Sequence, residues 1–390
     1  MTASHCHACG ASEWWALPDP APDRSITTAG LILDRPLAKA QCARCGFVQR
    51  TRDRFVGESD YYAERYASYY ARPGATTYDA ERYRVMAEWI GASIAISAPA
   101  KILDVGCGAG WAMDALRRVY PAATIEGIEP SIANAEAARS RGLSVRTGTL
   151  DEDLRSSTGD DGYDLVYSIN VLQHVLDPVA FLRGIAERLH PRGRVVLILP
   201  DATRPTNEIL WADHNFSFEP RHVAMVADRA GLAVVGWFGQ PEHISILDKQ
   251  LVVLARTDLA PSPELAKLRH PEDSFADREA YLREWSDVRA RLRDATVGFR
   301  QVANFGASMW TFLLAGYAPE YWGRVDYCVV DGFAGTCLDK TVRPFAADTF
   351  SAEDCIVLGV HPRSQPALEQ RLAPTGSRVI AWADCVPHDS

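Results

Sequence analysis

The chain has 390 residues, 47% of them apolar and 23% charged, which is enough for two to three domains at about 100–200 residues each. Ten Trp, fourteen Tyr and thirteen Phe exclude a disordered or low-complexity chain, because side chains of that size build ordered cores. The formal net charge of −9, with no block of Lys and Arg, argues against a nucleic-acid partner, since neutralising phosphates needs a basic face.

The first twenty residues, MTASHCHACGASEWWALPDP, lack the basic start and apolar stretch of a signal peptide, and no later run reaches the ~18 apolar residues of a membrane helix. A cytoplasmic protein without a membrane partner is expected, so the nine cysteines must serve chemistry or packing. Four of them form two C-x-x-C pairs, Cys6/Cys9 and Cys42/Cys45, each followed by a glycine, Gly10 and Gly46. That spacing lets two thiolates of one tight turn face a single ion, and two such turns complete a tetrahedron around structural Zn2+. A redox pair or a catalytic zinc is the alternative, but four thiolates leave zinc no open position. His5 and His7 flank the pairs and read as incidental, and Leu31-Ile32-Leu33 reads as a strand between them. A segment of residues 1–57 is too small to bury a full core, and metal would replace the missing burial.

Residues 78–97 space Tyr83, Met86, Ile90 and Ile94 as one helical face, ended by Pro99. KILDVGCGAG (101–110) is a short apolar strand opening into glycines, followed by a helix from Trp111 to Tyr120. Backbone can approach a ligand closely at Gly106, Gly108 and Gly110. The strand TIEGIE (124–129) ends in Glu129, nineteen residues past Gly110, where a carboxylate suits two ribose hydroxyls. On these residues alone a nicotinamide dinucleotide fits almost as well.

The wider run of motifs separates the two. LDVGCGAG, with Asp104 before the loop, resembles motif I of the class I S-adenosylmethionine (SAM) methyltransferases, and IEGIEPS resembles their second motif, Glu129 on the ribose and Pro130 following. Gly148-Thr149-Leu150 falls where that family contacts adenine, with the usual acid displaced to Asp151. YDLVYSINVLQHVLDP (163–178) resembles the fourth-strand signature, and LHPRG (189–193) followed by VVLILP resembles the next helix end and strand. Asn170, Val171 and His174 lie past the fourth strand, at the open end where a parallel sheet binds ligand. His174 also reads as a packing residue at a helix start, and Cys107 as a small neutral filler. The resemblance implies a Rossmann-like α/β fold with SAM as cofactor.

Beyond the VVLILP strand, Asp213, His214 and Asn215 stand among Trp211, Phe216 and Phe218, ahead of the helical RHVAMVADRAGL. A titrating group there needs a function or a partner. His214 reads either as a general base or as a histidine satisfied by backbone before a helix. The whole chain then resembles the sugar 3-C-methyltransferases, which act on nucleotide-linked 4-keto-deoxysugars. The features that carry this are the four-cysteine start, the tyrosine-rich DYYAERYASYY (60–70), the SAM region, a segment like E-H-x-x-Y-F, and a Gly306-Ala-Ser308 element near the end. The resemblance implies that His214 is the base and Asp213 its preceding acid, with Ser217 where the family has Tyr. It also implies that one bridge tyrosine (Tyr66, Tyr69 or Tyr70, with Tyr69 taken as the site residue) reaches the substrate.

Residues 258–275 are rich in Pro and charge and read as a linker. A helix from Ala276 to about Ala295 follows, then strands at 302–305, 325–331, 355–360 and 378–382, a second Rossmann-like layer. Here the chain departs from the family: Trp310-Thr311 replaces Lys-Gly after the Gly-Ala-Ser element, and His243-Ile-Ser-Ile-Leu-Asp-Lys-Gln replaces a H-G-G-S-L-R segment. The expected organisation is a zinc domain (1–57), a SAM methyltransferase domain with its tyrosine-rich lead-in (58–257) and a C-terminal α/β domain (258–390). The expected reaction is C-methylation of a nucleotide-linked 4-keto-deoxysugar. The acceptor-side departures keep O- or N-methylation of another small molecule open, as well as a non-catalytic binding module.

Overall fold

The computed structural model describes residues 5–51, 61–66, 77–94, 96, 98–150, 162–241, 249–257, 269–332 and 334–386. Its chain weaves between two compact units. The first is Met1–Trp15, Ala40–Arg204 and Asn215–Ser274; the second is Ala16–Lys39, Pro205–His214 and Phe275–Ser390.

The first unit is built on a seven-stranded sheet: β1 (Lys101–Val105), β2 (Thr124–Glu129), β3 (Ser144–Thr147), β4 (Tyr163–Ile169), β5 (Leu189–Pro200), β6 (Leu232–Gly239) and β7 (Lys249–Arg256). The spatial order is β3-β2-β1-β4-β5-β7-β6. β1 to β5 pair in parallel, and β7 runs antiparallel to both β5 and β6. The strands read as unbroken apolar runs because both faces are covered. Leu103, Val105, Val166, Val195 and Leu197 enter one core. Their alternating neighbours Ile102, Leu165, Tyr167, Val196 and Ile198 enter the other, as the two-residue period of a strand requires.

The helices around this sheet are α1 (Thr77–Ser93), α2 (Trp111–Val119), α3 (Ile132–Ser140), α4 (Pro178–Arg188) and α5 (Pro220–Arg229). Val85, Met86, Trp89 and Ile90 of α1 bury in the same core as Met113 and Leu116 of α2. α4 starts where the sequence punctuates it: Asp177 accepts from the N–H of Val179 (2.9 Å) and Ala180 (3.0 Å), and Pro178 occupies the first turn. The LHPRG stretch belongs to β5, not to the end of α4, with a register shift between Leu189 and Arg194. Gly193 allows this, since a Cβ there would lie 2.7 Å from the Tyr163 carbonyl.

The second unit carries a six-stranded sheet of β8 (Gln301–Phe305), β9 (Tyr327–Val330), β10 (Gly335–Cys337), β11 (Lys340–Pro344), β12 (Asp354–Leu358) and β13 (Arg378–Ile380). The order is β10-β11-β9-β8-β12-β13, parallel except for the β10–β11 hairpin. Its helices are α6 (Pro271–Ala295), α7 (Met309–Tyr317), α8 (Pro319–Arg324) and α9 (Gln365–Leu372). The expected linker is shorter than read, because α6 begins at Pro271, with Glu272 and Asp273 in its first turn, a favourable opening for a helix. Residues 16–39 and 205–214 pack in the same unit: Ala212 N–H donates to the Ile26 carbonyl at 2.8 Å. A Cβ at Gly316 of α7 would lie 2.8 Å from Ile26. The described residues are thus α/β, with a Rossmann-like sheet in the first unit and a second Rossmann-like layer in the other.

Candidate active site and cysteine cluster

In the first unit the strand order reverses between β1 and β4, which opens a crevice at the carboxyl ends of the strands. The cleft there is lined by Asp104, Gly106, Cys107, Gly108, Glu129, Pro130, Asn170, Val171 and His174, together with Tyr62, Tyr66, Arg82 and Tyr83. Gly106 and Gly108 have φ of 78° and 54°, a left-handed region that favours glycine. The two differ in what surrounds them. A Cβ on Gly106 would meet Val171 Cγ2 at 2.4 Å, whereas one on Gly108 would meet nothing within 4 Å. Gly108 therefore exposes its backbone to the cleft. Gly110 instead serves packing, since a Cβ there would sit 2.2 Å from Leu143.

Glu129 ends β2 and is buried; Gly108 N–H donates to its Oε2 at 2.7 Å and Ser131 N–H to its Oε1 at 2.8 Å. Each carboxylate oxygen keeps a second lone pair for a ligand hydroxyl. Burial raises its pKa and the two backbone donors pull it back. Asp104 lies deeper, with no hydrogen-bond partner for Oδ2. Burial pushes its carboxyl up to about 8, the Tyr167 hydroxyl pulling it back and the neighbouring Glu129 adding to the rise. Two acids in one desolvated cleft call for a cation or for hydroxyl donors.

Asn170 follows β4 with φ 57° and also lines the cleft. Its Oδ1 accepts from Lys249 Nζ at 2.5 Å. Lys249 opens β7, is buried, and has its pKa driven well below the usual range by burial and then by Arg82. His174 Nδ1 lies 3.1 Å from the Tyr62 hydroxyl. Gly148 N–H donates to the Glu129 carbonyl at 3.0 Å, and Leu150 is buried in the core. Tyr62, Arg82 and Lys249 escaped sequence reasoning. For Lys249 a signal existed, a lysine opening the apolar run QLVVLA. Tyr69, Tyr70, Asp151 and residues 243–248 lie outside the described residues.

The four cysteines converge. Cys6 Sγ is 3.6 Å from Cys45 Sγ, Cys9 Sγ is 3.5 Å from Cys42 Sγ, and all four lie within 4.8 Å of one another. Four thiolates on a tetrahedral ion at 2.3 Å would be about 3.8 Å apart, so the set fits one. Gly10 (φ 77°) and Gly46 (φ 78°) close the two turns by donating to the carbonyls of Cys6 and Cys42. Crowding splits the thiols: the hydrogen bond from Cys45 lowers Cys6 to about 5, while burial lifts Cys42 to about 11. The cluster is anchored to α5, where His222 Nδ1 accepts from Glu219 N–H and Nε2 lies 2.8 Å from the Cys45 carbonyl. A protonated Nε2 satisfies both contacts.

Asn215 takes a structural part in the same unit. Its Nδ2 donates to the His174 carbonyl at 2.7 Å, its N–H to the Gln173 carbonyl at 2.7 Å, and its own carbonyl accepts from Arg50 N–H at 3.0 Å. The strand after the cysteines and the loop bearing His174 are joined through the backbone and side chain of this one residue.

Asp213 and His214 belong to the second unit. Asp213 is fully buried and accepts from both the N–H (2.9 Å) and the hydroxyl (2.5 Å) of Thr28, so its carboxylate holds a turn. The acid beside His214 is Glu208, also buried, with Oε2 3.8 Å from His214 Nδ1. Glu208 follows Thr206, whose hydroxyl accepts from its N–H, and nothing in the local pattern marks it as the partner of His214.

Residues 78–248 match the family model described as a methyltransferase domain. A ubiquinone biosynthesis O-methyltransferase of Bradyrhizobium diazoefficiens is 28% identical over 42% of this chain and 62% of its own length. A trans-aconitate 2-methyltransferase of Enterobacter sp. (strain 638) is 32% identical over 35% of this chain and 53% of its own. The chain thus spans less than two thirds of either relative. Among solved structures, mitomycin 7-O-methyltransferase aligns with 45% of this chain and 54% of its own at 23% identity and a TM-score of 0.38. Among the described residues no helix is long and apolar enough to cross a membrane. With its strand order, glycine loop and β2 acid, the region spanning residues 78–248 is a class I SAM-dependent methyltransferase domain.

Proposed function

We propose that the protein transfers the methyl group of SAM to a polar small molecule, and that this acceptor is C3 of a nucleotide-linked 4-keto-deoxysugar. The observation that carries the SAM part is the cleft in which Gly108 offers open backbone and Glu129 and Asp104 offer buried carboxylates. Asp104, Gly106, Gly108, Glu129, Pro130, Asn170, Val171 and His174 would hold the cofactor, which supplies an electrophilic methyl on a sulfonium. Gly110, Gly148, Thr149 and Leu150 would complete the cofactor site, the last three on the adenine side. The sugar part rests on the order of motifs along the chain, including the cysteine pairs at its start.

In this reading His214, beside Glu208, takes the proton from the carbon next to the ketone, with a bridge tyrosine such as Tyr69 donating to the enolate oxygen. That carbon then bonds to the methyl group, and the C–S electron pair stays on sulfur. Orientation supplies most of the acceleration and the base a factor of about 10²–10⁴. His214→Ala should lower turnover by about that factor while SAM affinity, read by calorimetry, stays put. Unchanged turnover would remove His214 from the mechanism. NMR of the product separates carbon from oxygen or nitrogen methylation, the second reading that the O-methyltransferase relatives favour.

The four cysteines would bind one structural Zn2+ through Cys6, Cys9, Cys42 and Cys45. Metal analysis of purified protein should return about one zinc per chain, and four titratable thiols with no metal would refute the site.

A further inference from the structure

The cofactor cleft is lined by two acids and by basic and amide side chains. Asp104 and Glu129 stand on the β1 and β2 side, suited to an ammonium group and to ribose hydroxyls. The same cleft is lined by Arg82 of α1 and Asn170, and Lys249 is bonded to Asn170. Lys249 is 3% exposed and Arg82 is 7% exposed. Two buried basic side chains beside one cleft would each be favoured in the charged form by an anion there.

Lys249 Nζ donates to Asn170 Oδ1 at 2.5 Å, so the Asn170 amide turns its oxygen inward. Nδ2 is then directed away from Lys249, and Asn170 itself lines the cleft. The left-handed backbone of Asn170, φ 57°, is a conformation that asparagine tolerates better than most residues, so the amide is held at both ends.

We infer that Lys249 is a positioning residue that locks the Asn170 amide as a donor to the methionyl carboxylate of SAM. Arg82 supplies the second donor to that carboxylate. This rests on the cleft being the SAM site. It explains a buried lysine that methyl transfer itself has no use for, and it makes Lys249 specific to the amino-acid end of the cofactor.

The test compares SAM with 5′-methylthioadenosine, which keeps the nucleoside and sulfur but has no amino-acid part. By calorimetry on the full-length protein, Lys249→Met and Lys249→Gln should weaken SAM about 10- to 100-fold, the range for a charge-assisted contact. Affinity for 5′-methylthioadenosine should hold, which also reports that the variants fold. Asn170→Gly, which keeps the backbone relaxed, should weaken SAM alike. Adding Lys249→Met to it should then cost less than about twofold more, because the two act as one unit. Equal weakening of both ligands in both lysine variants, unchanged SAM affinity, or additive losses would overturn the assignment. Wild-type protein that binds neither ligand would overturn the SAM reading as well.

Discussion

The two sheets pose the same geometric problem and solve it in opposite ways. Each has a reversal of strand order beside its first strand, β1/β4 in one and β8/β12 in the other, and each first strand runs straight into a glycine. After β1 the first glycine, Gly106, is closed by Val171 (2.4 Å), but two residues on the space is open, with nothing within 4 Å of a Cβ on Gly108. After β8 it is filled: a Cβ on Gly306 would lie 2.3 Å from the Gly359 carbonyl. Asn304 there donates to the Gly306 carbonyl (2.8 Å) and Thr311 (3.0 Å), accepts from Tyr321 (2.9 Å), and Thr311 closes on Gly359 (2.9 Å). A glycine after a strand therefore marks close approach of something. Whether that something is a ligand or the protein's own backbone depends on the opposite wall.

The sharpest way to break this contrast is to remove the polar centre of each crevice. Glu129→Ala should reduce SAM affinity by about 100-fold or more, read by calorimetry. Asn304→Ala should leave SAM affinity unchanged and lower thermal stability by about 2–3 kcal/mol, since it strands the buried Tyr321 and Thr311 groups. If Asn304→Ala also abolished SAM binding, the division between an open and a filled crevice would fail.

The glycines make a gentler version. Gly306→Ala forces a carbon onto backbone and should destabilise the fold by about 2–3 kcal/mol. Gly108→Ala meets open space and should cost only about 1 kcal/mol for its φ of 54°. Denaturant melts of the two variants order them.

The smallest effect is electrostatic. Asp104 is held protonated up to about pH 8 in the fold, so the folded state binds the extra proton between its unfolded pKa and that value. Stability without ligand should then fall as pH rises through that window, and Asp104→Asn should flatten the fall. A bound cation favours the ionised carboxylate, so SAM affinity should weaken as pH drops below about 8. A pH-independent affinity would show that Asp104 does not face the cofactor's charge.

Local pattern made much of the first unit legible. β1, its glycines, β2 with Glu129, and the Asp177 cap need only neighbours in sequence, since backbone φ, strand alternation and capping are set within a few residues. The C-x-x-C turns are legible for the same reason. The segment around His214 was not, because its polar residues turned out to have distant uses: Asp213 holds Thr28, 185 residues away, and Asn215 joins His174 to Arg50. A lone acid or amide in an aromatic stretch announces that it needs a partner, and says nothing of which one.

The short-range spacing of apolar residues, glycines and cysteines was thus sufficient for the fold class and the convergence of the four cysteines. Three things waited for the folded chain: which glycine faces open space, which acid stands beside His214, and that Lys249 reaches Asn170 across 79 residues. Each is a matter of who is opposite whom. Burial decides that, because a desolvated charge or amide must find a partner wherever packing brings one within reach.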